Sequence, residues 1–172
     1  MTNKVCPVCS ERVIPAYGDL DSEILFVGSS PSEDEVKYNR PFTGSYFQIF
    51  RKELFKFSHL DLGSTRQVLV EYHENMKKDD CRLVSMSVVE KELQDKKIVI
   101  IVGADAVRAF TGLSISDVNG LDVTNEVYEF NSENVPVGIK FFAIASPQTV
   151  FKSLGEFRFG LQRLGAWLEE IK

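Results

Sequence analysis

Short, uninterrupted apolar runs are separated along the chain by longer stretches in which apolar residues recur at helical spacing. The runs over residues 24–27, 98–102 and 141–145 are rich in β-branched or aromatic side chains. Such runs are typical of parallel strands that are covered on both faces. A fourth run, residues 67–72, alternates weakly between apolar and polar positions. The pattern therefore predicts four strands of a mostly parallel sheet.

Between these runs the apolar spacing predicts helices over residues 45–55, 81–94 and 104–111. A closing helix carries its apolar stripe at Leu161, Leu164, Leu168 and Ile171. Residues 117–137 instead mix short strand-like pieces with Asn, Gly and Pro turns. The alternation of strands and helices predicts a single domain over residues 1–172, with a three-layer α/β/α fold around a central, mostly parallel four-stranded sheet.

Composition narrows the possible functions. The chain has 172 residues, of which 44% are hydrophobic, enough for a sizeable core. Its net charge of -5 and pI of about 5.1 argue against a nonspecific polyanion binder, so any contact with DNA must be a local patch. With no apolar run of membrane-spanning length and no secretory signal pattern, we expect a soluble, cytoplasmic protein without membrane contact.

Residues 28–44 form a polar segment between a predicted strand and a predicted helix. Gly28 permits a sharp turn after the strand, while Pro31 and Pro41 restrict the backbone that follows. In open α/β sheets, ligands bind in the crevice beyond the carboxyl ends of the strands. We therefore expect this segment to be an exposed loop that lines a pocket.

Several motifs together resemble the uracil-DNA glycosylase superfamily. The segment ends in Arg-Pro-Phe-Thr-Gly, is preceded by Cys6-x-x-Cys9 and is followed far downstream by Ser146-Pro147. The chain is most similar to the iron–sulfur (family 4-like) branch, whose first motif reads Gly-Glu-Ala-Pro-Gly and then Gly-Arg-Pro-Phe-Val-Gly. The spacing matches without a gap. The resemblance implies DNA as the partner and a base-excision N-glycosylase that acts on a flipped uracil or modified base.

The same resemblance assigns a base pocket, which comprises Gly28, Ser30, Pro31, Ser32 and Phe42. In the family the aromatic residue of Arg-Pro-Phe stacks on the flipped base, a role that falls on Phe42. The alternative is that Phe42 is simply a core residue of the loop.

The family's catalytic positions are altered here. Ser29 stands where the family has an acid that handles water, and Ser146 stands where a histidine supports the departing base. Residues 67–72 also lack the asparagine that reads the uracil edge. A nearby acidic run, residues 33–35, could substitute for the lost acid, although such a run is more often a solvated face. These departures predict altered specificity.

An edge that contacts DNA is expected to combine the first and last loops. Arg40 belongs to the first loop, and the remaining members of this edge are Pro147, Val150, Phe151 and Lys152. Apolar side chains such as Val150 and Phe151 can wedge into a duplex, while Lys152 can touch phosphate. The alternative is that these are ordinary exposed loop residues before a helix.

Three cysteines suggest a metal site, because a Cys-x-x-Cys pair in an intracellular chain is more often metal-binding or redox-active than disulfide-bonded. The resemblance implies four ligands for a [4Fe–4S] cluster. Cys6, Cys9 and Cys81 match three of these positions, and the remaining one falls near His73. Three cysteines and one histidine also suit zinc. An inherited but empty site is the remaining alternative.

Two other functions stay open at this point. The altered positions favour a catalytically silent DNA-binding or protein-interaction module, which would have a protein partner. The acidic pI suggests, more weakly, a nucleotide-binding α/β protein without DNA contact.

Overall fold

The chain is described by a computed structural model that covers residues 4–74, 76, 79–128, 130, 135–148 and 153–171. Three of the predicted DNA-contacting residues, Val150, Phe151 and Lys152, lie outside these ranges. Within them, no helix is both long enough and apolar enough to cross a membrane.

Among the described residues, six strands form one sheet in the order β1-β3-β2-β4-β6-β5. The four central strands run parallel, and a two-residue antiparallel strand flanks them on each side. The strands are β1 (Tyr17–Gly18), β2 (Ile24–Gly28), β3 (Arg66–Leu69), β4 (Ile98–Val102), β5 (Leu121–Asp122) and β6 (Lys140–Ile144). The predicted four-stranded, mostly parallel sheet is thus confirmed as the centre of a wider one. The two flanking strands are too short to show a periodic pattern.

The described helices are α1 (Glu33–Tyr38), α2 (Ser45–Ser58), α3 (Asp79–Glu92), α4 (Ala104–Thr111), α5 (Ile115–Val118) and α6 (Leu154–Glu170), with 3₁₀ turns at Leu62–Ser64 and Thr124–Glu126. Two predictions are wrong in detail. The segment 28–44 is not loop throughout, because α1 lies inside it, and residues 115–118, predicted in part as strand-like, form α5. Both helices are under two turns long, too short for an apolar period to emerge.

Alternating side chains of the central strands pack into two separate cores. Phe26, Ile100 and Phe142 face α2 and α6, whereas Leu25 and Val99 face α3 and α4. This alternation follows from the period of two along a strand. The result is the predicted arrangement of helices on both faces of the sheet.

The four central strands point their carboxyl ends at one edge of the sheet. Gly28 ends β2 and accepts a hydrogen bond from the N–H of Val70, just beyond β3, at 2.9 Å. Ile144 ends β6 and accepts from the N–H of Gly103, just beyond β4, at 3.0 Å. The segment 28–44 and the segment that begins at Ser146 therefore meet at this edge.

Candidate functional site

A small cavity lies where these strands end. Its volume is about 20 Å³, and its lining comes from four loops and strand ends: Gly28, Ser29, Ser30, Glu35, Phe42, Phe47, Leu69, Val102, Ser146, Pro147 and Gln148. Typical ligand pockets measure roughly 300 Å³ or more. In this conformation the cavity has room for about one water molecule and none for a nucleobase.

Phe42 is fully buried, with 0% exposure, and its backbone adopts a left-handed conformation with φ of 54°. Its ring packs edge-on against Phe47, with ring centroids 5.1 Å apart. A Cβ added to Gly28 would lie 3.1 Å from the end of this ring and 2.7 Å from Leu69, so a larger residue at position 28 would displace one of these side chains. Phe42 is therefore both a core residue of its loop and a wall of the cavity.

Glu35 holds this loop in place. Only 1% of it is exposed, and its Oε2 accepts a hydrogen bond from the Phe42 N–H at 3.0 Å. Its Oε1 accepts from the N–H and the hydroxyl of Ser32 at 3.1 Å and 3.0 Å. The Ser32 hydroxyl in turn accepts from the Glu35 N–H, which completes a capping box at the start of α1.

The prediction that residues 33–35 form a solvated acidic face is wrong for Glu35. Burial raises the pKa of its carboxyl above the ordinary value of 4.5, and the hydrogen bonds from Ser32 and Phe42 oppose that rise. Glu35 is also the only acid among the described residues that line the cavity. The sequence does contain a sign of this role: Ser32 and Glu35 have the Ser-x-x-Glu spacing that is typical of a helix start.

The Ser29 hydroxyl forms hydrogen bonds with two backbone groups, one as donor and one as acceptor. Its Oγ donates to the Val102 carbonyl at 3.2 Å and accepts from the Ala106 N–H at 3.0 Å. Gly103, at the start of α4, offers no side-chain cap of its own, and a Cβ there would lie 2.8 Å from the Ser29 Oγ. Ser29 thus caps α4 from a neighbouring loop.

Replacing Ser29 by alanine is expected to lower the free energy of unfolding by about 1 to 2 kcal/mol, the usual cost of losing a helix cap. Thermal unfolding of this variant measures the effect. Ser30→Ala is the matched control, because the exposed Ser30 hydroxyl bonds the side chains of Glu71 and Asp105, at 2.8 Å and 3.3 Å, and no backbone group among the described residues. Equal stability of the two variants would contradict the capping role.

Of the other predicted pocket residues, Ser30 lies on the cavity wall, and Ser32 is committed to the α1 cap. Pro31 is half-buried and is not among the described residues that line the cavity. From β3 the cavity receives the apolar Leu69. The described side chains around the cavity therefore offer hydroxyls, one carboxyl and one amide as polar groups.

Ser146 donates a short hydrogen bond to the Gln148 side-chain oxygen, and Pro147 between them is buried. Asn119, which sequence analysis missed, fixes the start of this segment. Its Oδ1 accepts from the N–H of Ala145 at 2.8 Å, and its Nδ2 donates to the carbonyl of Glu156 in the first turn of α6, at 2.9 Å. The Asn119-Gly120 pair signals a turn but not this long-range contact.

Arg40 lies beside a separate groove of about 460 Å³, whose lining also includes Asp34 and Tyr38. Its guanidinium stacks on Tyr17, 4.6 Å from the ring centroid, and donates to the Tyr17 hydroxyl at 3.4 Å. The Arg40 Nε is buried and has no hydrogen-bond partner among the described residues. A cation held in this way at the sheet edge can meet an anionic group, although Asp34 reduces the local positive potential.

The predicted metal ligands come together. The cysteine–histidine cluster consists of Cys6, Cys9, His73 and Cys81, whose ligand atoms all lie within 4.8 Å of one another. Cys6 and Cys81 are 3.8 Å apart at their sulfurs, and the Cys9 sulfur is 3.4 Å from Nε2 of His73. Three members are buried, and Cys9 is half-buried. The cluster could therefore bind a metal.

The groups around the cluster lower the pKa of one cysteine and raise the pKa of another. Burial raises the pKa of Cys6, but hydrogen bonds from the Tyr72 hydroxyl and from the backbone of Cys9 and Val8 outweigh it and lower that pKa from 9.0 to about 6. Burial and the neighbouring sulfurs raise the pKa of Cys81 to about 11. Because metal ligands must be deprotonated, metal binding here would release protons.

Comparison with known proteins identifies the family. The model of the Uracil DNA glycosylase superfamily matches residues 15–164, most of the chain. The E3 ubiquitin-protein ligase RNF13 of Gallus gallus is 30% identical over 99 residues, which are 58% of this chain and 24% of that protein. The chain thus spans about a quarter of that relative, too little to establish a shared family. The family match covers both segments that line the cavity, and the chain belongs to the uracil DNA glycosylase superfamily.

Proposed function

We propose that this protein is a DNA base-excision N-glycosylase whose specificity differs from that of a uracil glycosylase. The observation that carries the proposal is the strand-end cavity, in which Gly28 and Phe42 of the first loop face Ser146 of the last. Family membership supports a glycosylase-like function and DNA as the partner at the level of the family. Incubation with oligonucleotides that carry different modified bases, followed by detection of abasic sites, tests it.

The proposed chemistry follows from the groups that the cavity offers. A flipped base would stack against Phe42, and the Ser146 hydroxyl would donate one neutral hydrogen bond to it. A neutral bond is about half as strong as one from a charged donor. The Leu69 side chain on the cavity wall offers no hydrogen bond to the edge of a base, which supports a substrate other than uracil.

Base entry requires the cavity to enlarge. Gln148 is exposed and lies on the cavity wall, and its side chain accepts the hydrogen bond from Ser146. A shift of this side chain would open the cavity toward solvent at the sheet edge. DNA binding would then stabilise the open conformation at the expense of the closed one.

We further propose that DNA contacts the edge formed by Arg40, Pro147, Val150, Phe151 and Lys152. Support comes from the position of Arg40 beside a groove next to the first loop. Because the chain has a net charge of -5, we expect only a few of its cations to contact phosphates. Binding that releases few counterions is weak. Its affinity falls as the salt concentration rises, but less steeply than for a protein that makes many phosphate contacts.

Mutating both Arg40 and Lys152 to alanine is expected to reduce affinity for duplex DNA about tenfold at low salt, because two phosphate contacts are lost. Fluorescence titration at two salt concentrations measures this. Lys91→Ala is the control, since Lys91 is exposed in the last turn of α3, toward the amino ends of the strands. Unchanged affinity in the double variant would show that DNA does not bind at this edge.

The second candidate function is a catalytically silent DNA-binding or protein-interaction module. Two specific observations favour it: the cavity holds only about 20 Å³, and the Ser29 hydroxyl is already bonded to backbone on both sides. Such a module would bind DNA without generating abasic sites under any condition. The oligonucleotide experiment separates the two functions.

Within the superfamily, we propose that the chain lies nearest the iron–sulfur (family 4-like) branch. The Cys6-x-x-Cys9 pair before the first central strand and the matched spacing of the first loop support this position. The position in the family does not decide which metal is bound, because one of the four ligands here is histidine rather than cysteine.

A further inference from the structure

We propose that the cysteine–histidine cluster is a closed, mononuclear zinc site rather than the seat of a [4Fe–4S] cluster. This inference goes beyond the proposed function and does not depend on it, because it concerns how the N-terminal segment is attached to the sheet. It follows from the distances between the ligand atoms and from the groups that orient them.

The spacing of the ligand atoms fits one tetrahedral ion. With Zn–S bonds of about 2.3 Å and Zn–N bonds of about 2.0 Å, tetrahedral angles place two sulfurs about 3.8 Å apart and a sulfur and a nitrogen about 3.5 Å apart. The sulfurs of Cys6 and Cys81 are 3.8 Å apart. The Cys9 sulfur and Nε2 of His73 are 3.4 Å apart.

The same spacing does not fit a cubane cluster. Each ligand of a [4Fe–4S] cluster binds a different iron and points away from the cluster's centre, which separates the ligand atoms by about 6 Å. All four ligand atoms here lie within 4.8 Å of one another. The space between them therefore accommodates one ion, and four irons with their bridging sulfides would force the ligands apart.

The backbone around the first two ligands forms a tight turn. Val5 and Arg12 pair across it as an antiparallel bridge, and the N–H of Ser10 donates to the Cys6 carbonyl at 2.8 Å. Ser10 takes a left-handed conformation with φ of 65°. The turn places both sulfurs of the Cys-x-x-Cys pair on one side, as structural zinc sites with this spacing require.

Neighbouring groups orient the other ligands as they do around zinc. Nδ1 of His73 lies 2.6 Å from the carbonyl of Glu74, which fixes the proton on Nδ1 and leaves Nε2 free to ligate. The Tyr72 hydroxyl donates to the Cys6 sulfur at 3.2 Å. Partners of this kind set the tautomer of a ligating histidine and share the charge of a thiolate.

Four protein ligands leave no open position on a tetrahedral ion, so the site is structural. It would link the turn at Cys6 and Cys9 to the segment that follows β3 through His73, and to α3 through Cys81. The N–H of Ile14 donates to the Tyr72 carbonyl at 2.6 Å, and this bond also joins the N-terminal segment to the residues after β3. Loss of the ion is therefore expected to release residues 4–14 while leaving the sheet folded.

The test is metal analysis of the protein, expressed with both iron and zinc in the medium and purified without oxygen. We expect about one zinc per chain, no acid-labile sulfide and no visible absorbance. Replacing zinc with cobalt should produce the visible bands of a tetrahedral cobalt–thiolate site. Iron and sulfide at about four each per chain, or no metal above background, would overturn the proposal.

Variants assign the ligands. His73→Ala is expected to lose zinc to a chelator at least tenfold faster than the unmodified protein, whereas His59→Ala, which changes an exposed histidine outside the cluster, should match it. His73→Cys retains four ligands, so it is expected to keep one zinc and to shift the cobalt bands. Equal zinc retention by His73→Ala and His59→Ala would show that histidine is not a ligand.

Discussion

Replacing Glu35 by alanine is expected to lower the free energy of unfolding by about 2 to 4 kcal/mol, because the change removes three hydrogen bonds and leaves the N–H of Phe42 buried without a partner. For a chain of this length the melting temperature should fall by roughly 5 to 15 °C. The left-handed backbone of Phe42 adds to the effect, since this conformation is strained and the hydrogen bond from Phe42 to Glu35 helps to offset the strain.

Thermal or urea unfolding near pH 5 measures the loss. Glu33→Ala is the matched control: it removes an exposed acid from the same first turn of α1 and is expected to change stability by less than about 0.5 kcal/mol. If both variants unfold alike, Glu35 does not hold the loop.

The stability contributed by Glu35 should also depend on pH. Burial raises the folded-state pKa of this carboxyl above its ordinary value of 4.5, so the folded chain binds the proton more tightly than the unfolded chain. The contribution is complete below pH 4.5 and is lost as the pH rises through the folded-state pKa. The Glu35→Gln side chain does not titrate, so the stability of this variant should fall less than that of the unmodified protein as the pH rises above 4.5. Urea unfolding at a series of pH values measures the difference.

Uracil excision by the unmodified protein is expected to be at least a hundredfold to a thousandfold slower than by an ordinary family member. Ser29 offers no carboxylate and Ser146 no charged donor, and loss of one such donor typically costs about 3 to 4 kcal/mol in the transition state. The Ser29 hydroxyl is also already engaged with Val102 and Ala106. The two deficits need not add, because groups that act together are not independent.

Single-turnover cleavage of uracil-containing oligonucleotides measures this rate for the unmodified protein, Ser29→Glu, Ser146→His and the double variant. A carboxylate at position 29 is compatible with the start of α4, where the helix dipole favours negative charge. Gain of uracil cleavage by the double variant is the expected result. Rapid cleavage by the unmodified protein, abolished by Phe42→Ala, would mean that another residue has taken over the chemistry.

The sequence predicted the parts of the molecule that depend on local pattern. The central strands β2, β4 and β6 are continuous apolar runs, and the fold follows from their order. The cysteine–histidine cluster was predicted because the resemblance supplied four positions in the chain, including His73, which no local spacing connects to Cys6. The metal could not be chosen in this way, because the choice depends on distances between ligand atoms.

Other features depend on contacts between residues far apart in the chain. Ser29 was predicted as an altered catalytic position, but its bond to Ala106, 77 positions away, could not be read from either segment. Glu35 was misjudged because three consecutive acids resemble a solvated face, and only the folded loop shows that one of them is buried. Asn119 was missed for the same reason, since its partner Glu156 lies in α6, 37 positions away.

The most direct test of the proposed function is a panel of duplex oligonucleotides, each with one deaminated or modified base, assayed for abasic sites with the unmodified protein and with Phe42→Ala. We expect abasic sites at the position of at least one modified base, little cleavage at uracil, and loss of all cleavage in Phe42→Ala under conditions in which thermal unfolding shows that the variant is folded. Binding of the same oligonucleotides without abasic sites in any of them would contradict the proposed glycosylase function and favour the silent module.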